Sequence, residues 1–166
     1  KPGAGKAKGA SFEREVCYDL SRFVDPKGED TLYWRSAMSG GRATLHRRKG
    51  IANETQLGDL TSISEKGRWL TDTFVIECKF HKDLDLQSSL LFGRGKLAKF
   101  WREVYEIASG KDREPLLIAK QNRTDTIVII TTRGLKKLEI FGNVYPDVIV
   151  ESSKMREFGE VQKVCL

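Results

Sequence analysis

Residues 74–83 read FVIECKFHKD, and the placement of this stretch decides the fold. Phe74, Ile76, Cys78 and Phe80 alternate with Val75, Glu77, Lys79 and His81. A period of two predicts a β-strand with Glu77 and Lys79 on one side. Residues on one face of a strand follow at about 7 Å. The acid and the base are therefore either a solvated pair or an acid and a base at a working distance. An isolated E-x-K favours the solvated pair.

Working outward, LGDLTSIS (57–64) reads as a preceding strand, with a turn expected around Lys66 and Gly67. If the two strands pair as a hairpin, Asp59 and Glu77 converge at one end. Two carboxylates and a backbone carbonyl, such as that of Cys78, suit Mg²⁺, which takes oxygen ligands and retains waters. Lys79 beside them would stabilise charge on an attacked phosphate or position a water.

Further upstream, SFEREVCYDLSRFV (11–24) has helical spacing, with Ser11 as the expected N-cap. Glu13 heads the row Glu13, Cys17, Leu20, Val24. A core-facing acid needs a partner, and a metal or its water is one candidate. The alternative is a first-turn acid favoured by the helix dipole. TLYWRSAM (31–38) reads as a strand, and the basic segment 42–56 as a long loop.

Downstream, KLAKFWREVYEIASG places Leu97, Phe100, Trp101, Val104, Ile107 and Ala108 on one helical face ending at Gly110. Residues 116–119, 126–131 and 147–150 are strand-like, and 133–141 is a short helix or a strand. The order α-β-β-β-α-β with further strands predicts an α/β domain whose mixed central sheet is flanked by helices. Trp34 and Trp101 are assigned to the core, and His46 and His81 to the polar surface.

Composition agrees with one compact domain: 166 residues, 39% hydrophobic, mean hydropathy −0.43. Residues 1–10, Gly-rich with three lysines and no acid, are expected as a flexible basic arm, and 11–166 as the domain. The arm superficially suggests a phosphate loop, but Ala7 follows Lys6 where Ser or Thr is needed. Cys17, Cys78 and Cys165 form neither a disulfide framework nor a zinc motif, which suggests a reducing cytoplasm. No apolar run approaches the roughly 18 residues of a membrane span.

The net charge is +6 with a pI near 9.3. Residues 1–50 hold eleven Lys/Arg against six Asp/Glu, and the rest eighteen against seventeen. Concentrated basic charge is what a surface facing a polyanion needs. Arg42, Arg47, Arg48 and Lys49 form an acid-free block near Gly40 and Gly41. It is either a solvated loop or a phosphate clamp. Lys96 and Lys99 on the second long helix could add to it.

Taken in order, these motifs resemble the PD-(D/E)XK nuclease superfamily. KGASFEREVCYDL (8–20) is similar to the opening helix of archaeal-type Holliday junction resolvases, and WRSAMSGG (34–41) to their arginine-serine loop. GDL (58–60) and IECK (76–79) match the D…E-x-K core, and residues 100–123 are similar to a stretch of phage-encoded members.

The resemblance implies a restriction-endonuclease-like fold with an αβββαβ core, and a homodimer. The implied activity is Mg²⁺-dependent phosphodiester hydrolysis, with Mn²⁺ as a substitute. It makes Asp59 and Glu77 metal ligands, with the Cys78 carbonyl, and Lys79 the catalytic lysine. Glu13 supports the metal or its water, and Ser39 lies near the scissile phosphate. The expected DNA contacts are Lys8, Arg14, Arg35, Arg42, Arg47, Arg48, Lys49, Lys96 and Lys99.

The expected substrate is branched DNA, cut by a junction resolvase in a prokaryotic or phage-infected cell. The segment between Ser39 and Asp59 is longer than in the compact archaeal proteins, which leaves DNA shape open. The alternatives are a restriction-type or phage DNA-processing nuclease on duplex or flaps, and a non-catalytic DNA-binding module.

Overall fold

The structure is a computed structural model and describes residues 4–36, 57–141, 148–150 and 161–164. The chain divides into two compact units, residues 1–72 and 73–166, where the sequence led to the expectation of a single domain after the arm. Each unit is described by itself.

In the first unit, helix α1 spans Ala4–Val24. Residues 4–10, expected as a flexible arm, form its first turns, and Ser11, expected as the N-cap, lies inside it. Alanine and lysine are strong helix formers. They outweigh Gly5 and Gly9, around which a Cβ would meet nothing within 4 Å. Phe12, Val16, Cys17 and Leu20 bury one stripe of α1. This helix packs on strand β1 (Tyr33–Arg35), which pairs antiparallel with β2 (Leu60–Ser62). Ser21 ties the layers together. Its Oγ donates to the Cys17 carbonyl (2.6 Å) and accepts from the Leu32 amide (2.8 Å).

The turn expected at Lys66 and Gly67 is a helix, α2 (Glu65–Thr73). Gly67 reads as a turn residue, yet its role is close approach. A Cβ there would lie 2.9 Å from Ser62 Oγ, 3.0 Å from Tyr33 Cε1 and 3.1 Å from Leu32 Cβ. A helix and not a tight hairpin turn thus follows β2, whose partner is β1.

In the second unit, β3 (Phe74–His81) pairs in parallel with β4 (Glu114–Gln121), with Glu77 opposite Leu117 and Lys79 opposite Ala119. β4 pairs antiparallel with β5 (Ile127–Thr131), giving a mixed sheet. Strands β6 (Val148–Val150) and β7 (Val161–Val164) extend it antiparallel, in the order β3-β4-β5-β7-β6. Pro115, which cannot donate, sits before the β5 pairing begins at Leu116.

The parallel β3–β4 connection runs through helices α3 (Leu86–Phe92) and α4 (Lys96–Ser109), as parallel pairing requires. Leu97, Ala98, Trp101, Val104 and Ala108 bury the inner face of α4, which packs on β3 and β4. The segment read as helix or strand is helix α5 (Thr132–Leu138) followed by a 3-10 turn (Glu139–Phe141).

At the base of the sheet Glu114 is 1% exposed. Its carboxylate accepts from Thr131 Oγ1 (3.0 Å), Lys137 Nζ (2.9 Å) and Arg133 Nε (2.5 Å). Thr131 Oγ1 in turn accepts from the Gly134 amide and caps α5. One buried carboxylate thus fastens α5 to the start of β4 and the end of β5, with its charge compensated.

Candidate active site

The α-β-β-β-α-β order is present, with α2 inserted before the third strand and α3 before the fourth helix of the chain. It places the functional residues on two frames. In the first unit, the Glu13 carboxylate does face inward and finds its partner in Arg35: Nε donates to Oε2 at 2.5 Å. Beside them, burial pushes the Cys17 thiol up to about 12. The Glu13 charge raises it further, and Arg35 offsets part of this.

One residue beyond β1, the Ser36 amide donates to the Asp59 carbonyl (2.8 Å) and Ser36 Oγ to the Gly58 carbonyl (3.0 Å). Gly58 has φ 87°, a left-handed conformation that favours glycine, and it turns the chain into Asp59. Asp59 is 8% exposed. The arginine-serine pair Arg35-Ser36 therefore positions the first frame: Arg35 holds Glu13, and Ser36 holds the backbone of Gly58 and Asp59. Sequence reading passed over Ser36, which lies on the strand's edge next to a motif arginine.

In the second unit, Lys79 Nζ donates to Glu77 Oε1, and the side chains are only 24% and 21% exposed. This is not a solvated pair. The period of two put them on one face, and the rigid parallel register with β4 fixes that face. Lys79 Nζ also lies 5.5 Å from the centroid of the Phe100 ring, within cation–π range.

His81, assigned to the polar surface, is half-buried, its ring 5.1 Å from that of Phe100. Burial lowers its pKa from the ordinary 6.5, and Lys79 and Lys96 lower it further. Cys78 turns its thiol into the core, so only its backbone carbonyl is available as an oxygen donor.

Among the other expected residues, Arg14, Lys96 and Lys99 are exposed, and Lys8 is half-buried on α1. Lys96 Nζ lies 3.8 Å from Asp85 and Lys99 Nζ 3.9 Å from Glu103. Ser39, Arg42, Arg47, Arg48, Lys49 and His46 lie outside the described residues. Trp101 is fully buried as expected, but Trp34 is 56% exposed. It alternates outward between Tyr33 and Arg35 on a two-stranded sheet.

Among the described residues no group of three or more His, Cys, Asp or Glu could hold an ion. In the first unit Asp59, and in the second Glu77 with the backbone carbonyl of Cys78, carry oxygen donors of the kind a hard cation takes.

The α-β-β-β-α-β order with a mixed sheet and an E-x-K strand defines a restriction-endonuclease-like fold of the PD-(D/E)XK superfamily. The profile of the family described as "Phage putative PDDEXK endonuclease" matches residues 4–162, and the chain belongs to this family. No curated protein and no solved structure matches it. Among the described residues no helix is long and apolar enough to cross a membrane.

Proposed function

We propose that the chain is a divalent-metal-dependent endodeoxyribonuclease that resolves four-way DNA junctions. The observation that carries the reading is the half-buried Glu77–Lys79 pair on β3, in a chain matched by a phage endonuclease family over residues 4–162. Asp59 and Glu77 are the carboxylates that the D…E-x-K pattern assigns to the ion, with the Cys78 carbonyl as a further donor. Mg²⁺, or Mn²⁺ in its place, would be held by these oxygens and would supply Lewis-acid activation of the phosphodiester and of water.

The chain's own groups do the rest. Lys79, held beside Glu77, directs its ammonium at the charge that develops on the phosphate oxygens. Glu77 keeps that ammonium in place. Arg35 and Ser36 hold Glu13 and Asp59 in position, and Lys8, Arg14, Lys96 and Lys99, with the basic segment from Arg42 to Lys49, provide phosphate contacts. Ser39 is assigned to the neighbourhood of the scissile phosphate. A homodimer would cut the two opposing strands of a junction, and the free buried thiols Cys17 and Cys78 suit the reducing cytoplasm of an infected cell.

The test compares a labelled four-way junction with linear duplex, with Mg²⁺, in wild type, Asp59→Ala and Glu77→Ala. Paired incisions at the junction that vanish in both variants while DNA binding persists support the reading. Equal cutting of linear duplex would make this a general duplex nuclease. Full activity in either variant would overturn the site assignment, and binding without cutting by wild type would leave a DNA-binding module.

A further inference from the structure

The turn between α3 and α4 is built with unusual care for a surface feature. Gly93 caps α3 in the left-handed region (φ 62°), its amide donating to the Ser89 carbonyl and that of Arg94 to Ser88. Arg102 on α4 donates to the Gly93 carbonyl. Gly95 has φ 105°, and a Cβ there would lie 2.7 Å from Asp85 Cβ and 2.9 Å from Ser89 Oγ. The amides that open α4 are already satisfied: Lys96 by Asp85 Oδ2, Leu97 by the Leu84 carbonyl, Ala98 by Ser89 Oγ. An anion therefore finds no free backbone donor at this helix start.

This rigid turn holds out an apolar pair. Leu91 is 62% and Phe92 55% exposed, although most of the unit's large apolar side chains are buried. Beside them Arg94, Lys96 and Lys99 are exposed. The neighbouring acids help to build the turn: Asp83 Oδ1 accepts from the Asp85 amide, and Asp85 Oδ2 from the Lys96 amide. The tip thus combines two adjacent exposed apolar residues with exposed Arg94 and two exposed lysines, which DNA phosphates would draw from loose ion pairs, Lys96 with Asp85 (3.8 Å) and Lys99 with Glu103 (3.9 Å). An apolar wedge flanked by phosphate-binding cations is how side chains open a DNA base step.

We infer that the α3–α4 turn is a DNA-opening wedge, with Phe92 and Leu91 entering an unstacked step and Arg94, Lys96 and Lys99 holding the flanking phosphates. The occupant is DNA, preferentially where stacking is already broken, because an intact step must first be unstacked. This inference rests on the proposed nuclease function but concerns binding, so its test is independent of cutting.

The experiment measures affinity for junction and linear duplex over a salt series, with Ca²⁺ in place of Mg²⁺, and follows 2-aminopurine placed at the branch point. In L91A/F92A, junction affinity should fall about tenfold with little change in salt slope. Wild type should raise 2-aminopurine emission at the branch point, and L91A/F92A should not. F92W should retain both, and R94A should lower the salt slope by about one for every DNA. Because Leu91, Phe92 and Arg94 are exposed, the variants should fold normally, which their thermal melts check. Wild-type junction affinity and 2-aminopurine response in L91A/F92A would overturn the wedge while leaving the nuclease reading intact. A loss of dimer in that variant with unchanged DNA affinity would make the tip a protein interface and overturn it. Wild-type protein that binds no DNA would overturn the nuclease reading together with the wedge.

Discussion

Arg35 Nε donates to Glu13 Oε2 across the α1–β1 packing, and the pair lies beside the buried thiol of Cys17. An acid on an otherwise apolar helical row is stable there because this guanidinium meets it. Arg35→Ala should lower unfolding free energy by about 1–3 kcal/mol, since a largely buried carboxylate loses its partner. Urea denaturation measures this, with Glu13→Gln expected to cost less.

The same cluster sets the reactivity of Cys17. A thiol pushed up to about 12 has almost no thiolate at pH 8. Its labelling by a disulfide reagent should therefore be slower than that of a free thiol by about a thousandfold. Labelling at the free-thiol rate in native protein would show that the site opens.

His81 offers a pH signature. Its folded pKa lies below 6.5, held down by burial and by Lys79 and Lys96. A depressed histidine is neutral when folded, so the unfolded chain binds the proton first. Its contribution is intact above pH 6.5 and is lost as pH falls below that value toward the folded pKa. His81→Gln should flatten that part of the stability profile. Lys79→Met should raise the His81 pKa measured by NMR, because a neighbouring cation is removed.

Glu114 predicts an asymmetry. Arg133→Ala or Lys137→Ala alone should cost less than about 1 kcal/mol, because the other cation remains. The double variant should cost more than the sum, about 3 kcal/mol or above, since it leaves a buried uncompensated carboxylate. Additive losses in denaturant titrations would contradict this account.

Gly67→Ala tests why a glycine stands inside α2. In an open helix the change gains about 1 kcal/mol. Here the new methyl would crowd Ser62 Oγ, which donates to the Ser64 carbonyl at 2.6 Å, and the ring of Tyr33. A net loss of about 1–2 kcal/mol is expected from overpacking, read as a lowered Tm.

Much of this protein was decided by local pattern. The period of two in FVIECKFHKD puts Glu77 and Lys79 on one face of a strand, and the 3.6-residue period of α4 buries Trp101. The row of α1 turns Glu13 inward. Such periodicities follow from backbone geometry that every residue carries with it. Pairing does not. That β3 pairs with β4, forty residues away, depends on which apolar faces bury each other after the chain has turned through α3 and α4. The same holds for Gly67, whose role is set by Tyr33 and Ser62, and for Glu13, whose partner is 22 residues downstream. Trp34, apolar and expected inside, is left outside because among the described residues its strand pairs with β2 alone and turns Tyr33, not Trp34, to the covered face. The sequence determined which side chains could carry chemistry, since type and period are local. Only tertiary packing decided which neighbour holds each of them, because burial and charge compensation are properties of contacts between distant segments.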